Sequence, residues 1–199
     1  MLDTASETKP DQRPAIVICA WEADASGWDP VEDLSGEPWN PEGARTVPVA
    51  AGDPQRLATT LAEHLQDQRC RALLLVGRTR RSEDFRLQMR AENRTPDGAG
   101  RAEGNGPSVA RATAPVAEIV RALHEAGLRA DASSEAEEDV GDYLLYQVLA
   151  NLPEGLDTPS VGLLRAPEHE PDAAVQRAVK TAAEAMTRRL APLPRSRAF

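Results

Sequence analysis

Short continuous apolar runs alternate along the chain with longer stretches in which apolar residues recur at helical spacing. The first run, AIVICAW at 15–21, is rich in β-branched residues and predicts a strand buried on both faces. ARTVPVA at 44–50 predicts a second strand, and Pro48, which cannot donate to a ladder, predicts that it lies at an edge. In DPQRLATTLAEHLQDQ (53–68) Leu57, Leu61 and Leu65 recur every four residues, the apolar stripe of a helix that Asp53 caps and Pro54 begins. CRALLLVGR (70–78) predicts a central strand, FRLQMRAEN (85–93) one further strand, and RTPDGAGRAEGNGPS (94–108) a glycine-rich loop. APVAEIVRALHEAG (114–127) predicts a helix closed by Gly127. LRADAS (128–133) predicts a strand, DVGDYLLYQVLANL (139–152) a helix, SVGLLRAP (160–167) a strand, and EPDAAVQRAVKTAAEAMTRRLA (170–191) a closing amphipathic helix. Residues 22–44 read as a long loop with a short helical turn at 30–34, residues 1–14 as a disordered tail and 192–199 as a loose one. The alternation of strands and helices predicts a single layered α/β domain over 15–191.

Composition narrows the partners. The chain has 199 residues, enough for one domain with a sizeable core, and a net charge of −9, which argues against nucleic acid as the main partner. No apolar run approaches a membrane span, and the polar start lacks the apolar core of an export signal, so a cytoplasmic location is expected. The only cysteines, Cys19 and Cys70, lie far apart in no metal-like spacing and read as reduced thiols. Abundant Ala, Arg, Glu and Pro with few Lys hint at a GC-rich bacterial source. No Gly-x-Ser-x-Gly elbow, phosphate loop or metal triad is present, so no cofactor or metal is expected. The acidic run SSEAEEDVGD (133–142) either binds a cation or is a solvated loop that caps the next helix. RTRRSEDFR (78–86) is either an anion patch or a salt-bridged surface.

The order of these segments resembles pyroglutamyl peptidase I, a cysteine peptidase family with a three-layer α/β/α fold and a mostly parallel sheet. The resemblance spans roughly residues 15–190. FRLQMRAEN resembles the family's apolar-Glu-x-x-Ala-x-Asn, GDYLLYQ the segment Gly-x-Tyr-apolar-Cys-Asn, and VGLLRAP the segment Gly-Phe-apolar-His-apolar-Pro. In the family a cysteine at a helix N-terminus attacks the amide after an N-terminal pyroglutamate, a histidine moves the proton, and a glutamate orients the histidine. The resemblance places these three roles at Leu145, Arg165 and Gln88, and all three are substituted. Leucine has no lone pair to offer, arginine accepts no proton near neutral pH, and glutamine carries no charge to stabilise an imidazolium. His169, four residues beyond Arg165, is the only histidine near the expected site.

The substrate pocket departs as well. CAWEADASG stands where the family has Thr-Gly-Phe-x-Pro-Phe-Gly-Gly, so Trp21 takes the first aromatic position, the second falls near Asp24, and Ala25 and Ser26 replace the glycine pair. WDP (28–30) resembles the family's following Asn-Pro-Ser. RTPDG (94–98) resembles its Arg-Ile-Pro-Asp-Asn loop, which makes Arg94 the counterpart of an arginine near the oxyanion site; Tyr143 matches the family's tyrosine. Substrate contacts are therefore expected from Trp21, Arg94 and Tyr143. The resemblance implies a pyroglutamyl-peptidase-like protein without peptidase chemistry; the alternatives are an amide hydrolase with relocated residues and a non-catalytic oligomeric or ligand-binding protein. An arginine beside a glutamine suits a small acidic molecule or a peptide terminus, and the family's habit of assembly implies a homo-oligomer.

Overall fold

The computed structural model describes residues 11, 13–22, 38–153, 155 and 158–190. Residues 1–10 and 12 of the N-terminal tail, the C-terminal tail, the turn at 30–34 and positions 24–26 and 28–30 lie outside the described residues. Six strands form the main sheet: β1 (Ala15–Ala20), β2 (Arg45–Val49), β3 (Cys70–Thr79), β4 (Phe85–Gln88), β7 (Ala130–Ser133) and β8 (Ser160–Pro167). Their order is β2-β1-β3-β8-β4-β7. β2, β1, β3 and β8 run parallel, while β4 is antiparallel to β8 and parallel to β7. The sheet is therefore mostly parallel, as the sequence implies. β2 lies at the edge, where Pro48 leaves no central ladder broken.

Helices cover both faces. α2 (Val116–Glu125) and α4 (Asp172–Thr187) pack on one, where Ile119, Leu123, Val175 and Val179 meet Ile16, Ile18, Leu74, Leu87 and Leu164. α1 (Pro54–Gln66) and α3 (Val140–Ala150) pack on the other, where Leu57, Leu61, Leu144 and Leu145 meet Val17, Cys19, Leu73, Leu75 and Leu163. Alternate residues of β1, β3 and β8 feed opposite cores, which is why these strands read as unbroken apolar runs.

The helix ends follow the sequence. Asp53 caps α1 by accepting from the Arg56 N–H, with Pro54 opening the first turn. At the end of α2, Gly127 adopts φ +75°, and the Leu128 N–H reaches the Leu123 carbonyl at 2.9 Å. Ala126 is the cap residue and Gly127 the left-handed residue after it, a glycine stop displaced one residue from the cap.

One strand expected from the sequence is two. Residues 85–93 split at Met89: β4 belongs to the main sheet, whereas β5 (Arg90–Glu92) leaves it to pair antiparallel with β6 (Val109–Arg111). The chain turns because the Met89 N–H bonds the Ser133 carbonyl while its own carbonyl accepts from the Ala112 N–H. β6 carries no apolar run of its own, so only pairing with β5 makes it a strand. Among the described residues no helix is long and apolar enough to cross a membrane.

Candidate functional site

The carboxyl ends of parallel strands are where open α/β sheets hold their ligands, and the substituted positions gather there. Arg165 sits on β8 and Gln88 at the end of β4, both directed to the α3 side of the sheet alongside Val161 and Leu163. Arg165 is 1% exposed, among the largest fully buried side chains in the molecule. An arginine at such depth persists only when its charge is paired. Its Nε donates to Gln88 Oε1 at 2.8 Å, and Nη1 and Nη2 donate to Asp139 Oδ2 and Oδ1 at 2.6 and 2.9 Å. Glu137 Oε2 lies 3.6 Å from Nη1, and Glu137 is itself held by the Thr79 hydroxyl at 2.7 Å. Burial is the largest effect and works against the charge, but the bonds to Asp139 and the negative charges of Asp139, Glu137 and Asp142 together outweigh it, and the guanidinium is held above its usual range.

Asp139 has two tasks. It is the N-cap of α3, accepting from the Asp142 N–H at 2.9 Å, and it clamps Arg165. The acidic run thus does both things weighed for it: it caps the helix, and the cation it binds is the protein's own arginine. Leu145, fully buried, fills the helix position assigned to the cysteine and joins Trp21 and Leu163 in one cluster. Gln88, Leu145 and Arg165 therefore lie on the same side of the sheet, with Gln88 and Arg165 in direct contact.

Trp21 follows β1 and is buried, with Arg165 stacked 5.7 Å above its ring. Its indole wedges between the end of β3 and the start of α3. A Cβ on Gly77 would stand 2.0 Å from Trp21 Cζ2, and one on Gly141 2.4 Å from the same atom. These glycines are required by close approach to the ring. Tyr143 is buried in the same layer, and desolvation pushes its hydroxyl above the usual range. Arg94, half-buried, is bound to Glu92 at 2.5 Å and Glu138 at 2.6 Å. It borders the cluster through Glu92, whose N–H meets Asp142. His169 lies exposed in the turn after β8.

Asp142 has no role of its own in the sequence-based reading. The carboxyl group is 1% exposed, and it accepts from Gln88 Nε2 at 2.6 Å and from the Glu92 N–H at 3.1 Å. Burial raises it to about 6, against the lowering pull of those two bonds and of Arg165. A signal was present, since an aspartate directly before Tyr143 on a buried helix turn needs a partner. The arginine-rich stretch 78–86 is bonded internally: Arg78 reaches the Glu170 carbonyl at 2.6 Å and Asp172 at 2.6 Å, and Arg80 pairs with Glu168.

Both thiols lie in the same buried layer as Trp21 and Leu145. Cys19 and Cys70 lie within strands, and burial pushes them up to about 12 and about 11. Iodoacetamide at pH 8 is expected to leave both unmodified in native protein and to label both after unfolding, as intact mass will show. Among the described residues no group of three or more His, Cys, Asp or Glu is placed to hold a metal ion.

A mostly parallel six-stranded sheet between two helical layers, with polar residues collected at its strand ends, defines a three-layer α/β/α protein. Its fold is that of the pyrrolidone carboxyl peptidases. The enzyme from Thermus thermophilus superposes with a TM-score of 0.68 at 22% identity, covering 85% of this chain and 98% of that one. Pyrrolidone carboxyl peptidase from Pyrococcus furiosus gives 0.71 at 17% identity, covering 87% and 98%. Pyroglutamyl peptidase I from Bacillus amyloliquefaciens gives 0.69 at 16% identity, covering 89% and 96%. No family model and no curated protein sequence matches the chain.

Proposed function

We propose that this chain is a pyroglutamyl-peptidase-like protein that does not hydrolyse pyroglutamyl peptides and acts by binding or assembly. The observation that carries this reading is the Arg165 guanidinium bonded to Gln88 and Asp139. The positions matched to base and orienting acid now hold each other, and the position matched to the nucleophile is a buried leucine. A strand-end site built this way supplies neither a thiolate nor an imidazole to take its proton. Any acidic ligand taken here would compete with Asp139 for the guanidinium.

The test is incubation of purified protein with a pyroglutamyl fluorogenic substrate, beside an active pyrrolidone carboxyl peptidase as positive control. No turnover above buffer is expected. Turnover abolished by thiol alkylation overturns the proposal, and turnover that survives alkylation overturns it in favour of an amide hydrolase with relocated residues.

A further inference from the structure

The β5–β6 excursion leaves the main sheet at Met89 and rejoins it at Thr113, whose N–H bonds the Val161 carbonyl at 3.1 Å. Between these points it packs Ala91, Ala102 and Ala110 into the α3 layer, and polar bonds tie it to the body as well. The Glu92 N–H donates to Asp142, and Gln88 Nε2 is shared between Asp142 and the Arg90 carbonyl at 2.6 and 2.7 Å. Further out, the Tyr146 hydroxyl donates to the Pro107 carbonyl, and Arg90 and Arg94 reach Ser134 and Glu138. Among the described residues, Asp142 is the one carboxylate that joins α3 to β4 and β5 by hydrogen bonds.

Three carboxylates, Asp139, Glu137 and Asp142, gather about one buried guanidinium, so negative charge is in excess there. β8 supplies a single cation, Arg165, and Asp139 takes that guanidinium at both of its terminal nitrogens. The segment entering α3 adds Glu137, close to the same guanidinium, and Glu138, held by Arg94. On β5, Arg90 and Glu92 pair with each other, and Arg94 pairs with Glu92. β4 adds Arg86, paired with Glu135; β6 adds Arg111, which is exposed. In the glycine-rich loop are Arg101, bonded to the Gly106 carbonyl, and Glu103. β3 adds the uncharged Thr79, and α1 turns Leu57, Ala58, Leu61 and Leu65 to this layer, with Asp53 at its cap. Asp142 is left with two neutral donors in a dry place, which disfavours its ionised form.

We propose that Asp142 is a proton-controlled clasp: the β5–β6 excursion opens more readily while this carboxylate is ionised, and closes against α3 when it takes up a proton. The sign follows from linkage. Opening hydrates the carboxyl group and returns it to its ordinary range, so the closed form binds the proton more tightly, and acid favours closure. In the same way the group's contribution to folding is fully present below 3.8 and is lost as pH rises through about 6.

Native-state hydrogen exchange across pH 5 to 7.5, corrected for intrinsic rates, tests this. The opening constant at the Glu92 and Ala112 amides is expected to fall about tenfold between pH 7.5 and pH 5. The amides of Val179 and Met186 on α4 should show no such slope. A flat or opposite profile at Glu92 and Ala112 overturns the proposal, as does the same slope surviving in Asp142→Asn. A carbon-detected titration of the wild-type Asp142 carboxyl supplies a readout independent of that variant; a midpoint near 6 supports the clasp and one below 5 overturns it.

Discussion

Arg165→Met is expected to lower folding stability by about 3–5 kcal/mol, seen in urea as a lower midpoint with an unchanged slope. The side chain is 1% exposed, so methionine replaces its volume without a new hydrophobic gain from surface. What is lost is the counter-charge of Asp139 and Glu137, together with the donor to Gln88 Oε1. Leaving charges buried and unpaired costs more than the pair itself is worth. Adding Asp139→Asn to Arg165→Met should therefore recover part of the loss, a non-additivity that a double-mutant cycle reads directly. Arg165→Lys should not rescue, because an ammonium cannot bond Gln88 and grip Asp139 bidentately in the same geometry.

Gly77→Ala should be the most disruptive small substitution in the protein. Its methyl carbon would stand 2.0 Å from Trp21 Cζ2, well inside contact distance. Overpacking a core costs about 1–3 kcal/mol and occasionally more, and this site belongs at the upper end because backbone faces an indole ring that also stacks under Arg165. Gly141→Ala, at 2.4 Å from the same atom, should behave alike. Trp21→Ala alone removes a large buried side chain at about 3–5 kcal/mol. In the double variant the clash is gone, so the two losses should sum to more than the measured one. Thermal unfolding of Gly77→Ala, Trp21→Ala and the pair checks this; strict additivity would mean that the indole does not occupy the space between β3 and α3.

Much of this was legible in the residues. Pro48 announced an edge strand because a missing N–H is tolerated only there, and Asp53 and Pro54 announced a helix start because orphan amides need an acceptor. That Gln88, Leu145 and Arg165 offer neither a thiol nor an imidazole was legible too. The split of 85–93 into β4 and β5 was not, because Arg90, Ala91 and Glu92 carry no alternation that separates them from Phe85 to Gln88. Nor was the fate of the arginine. Sequence spacing offered Arg165 to a ligand from outside, whereas in the fold Asp139, 26 residues earlier, takes it.

The sequence by itself determined the alternation of strands and helices and the caps, since these follow from local periodicity and side-chain chemistry. Only the tertiary structure decided that Gln88 and Arg165 bond one another, that Trp21 fills the gap above Gly77 and Gly141, and that Asp142 is buried with two neutral donors. Those outcomes depend on which strand ends and helix turns meet across the sheet, and on how much water is left between them.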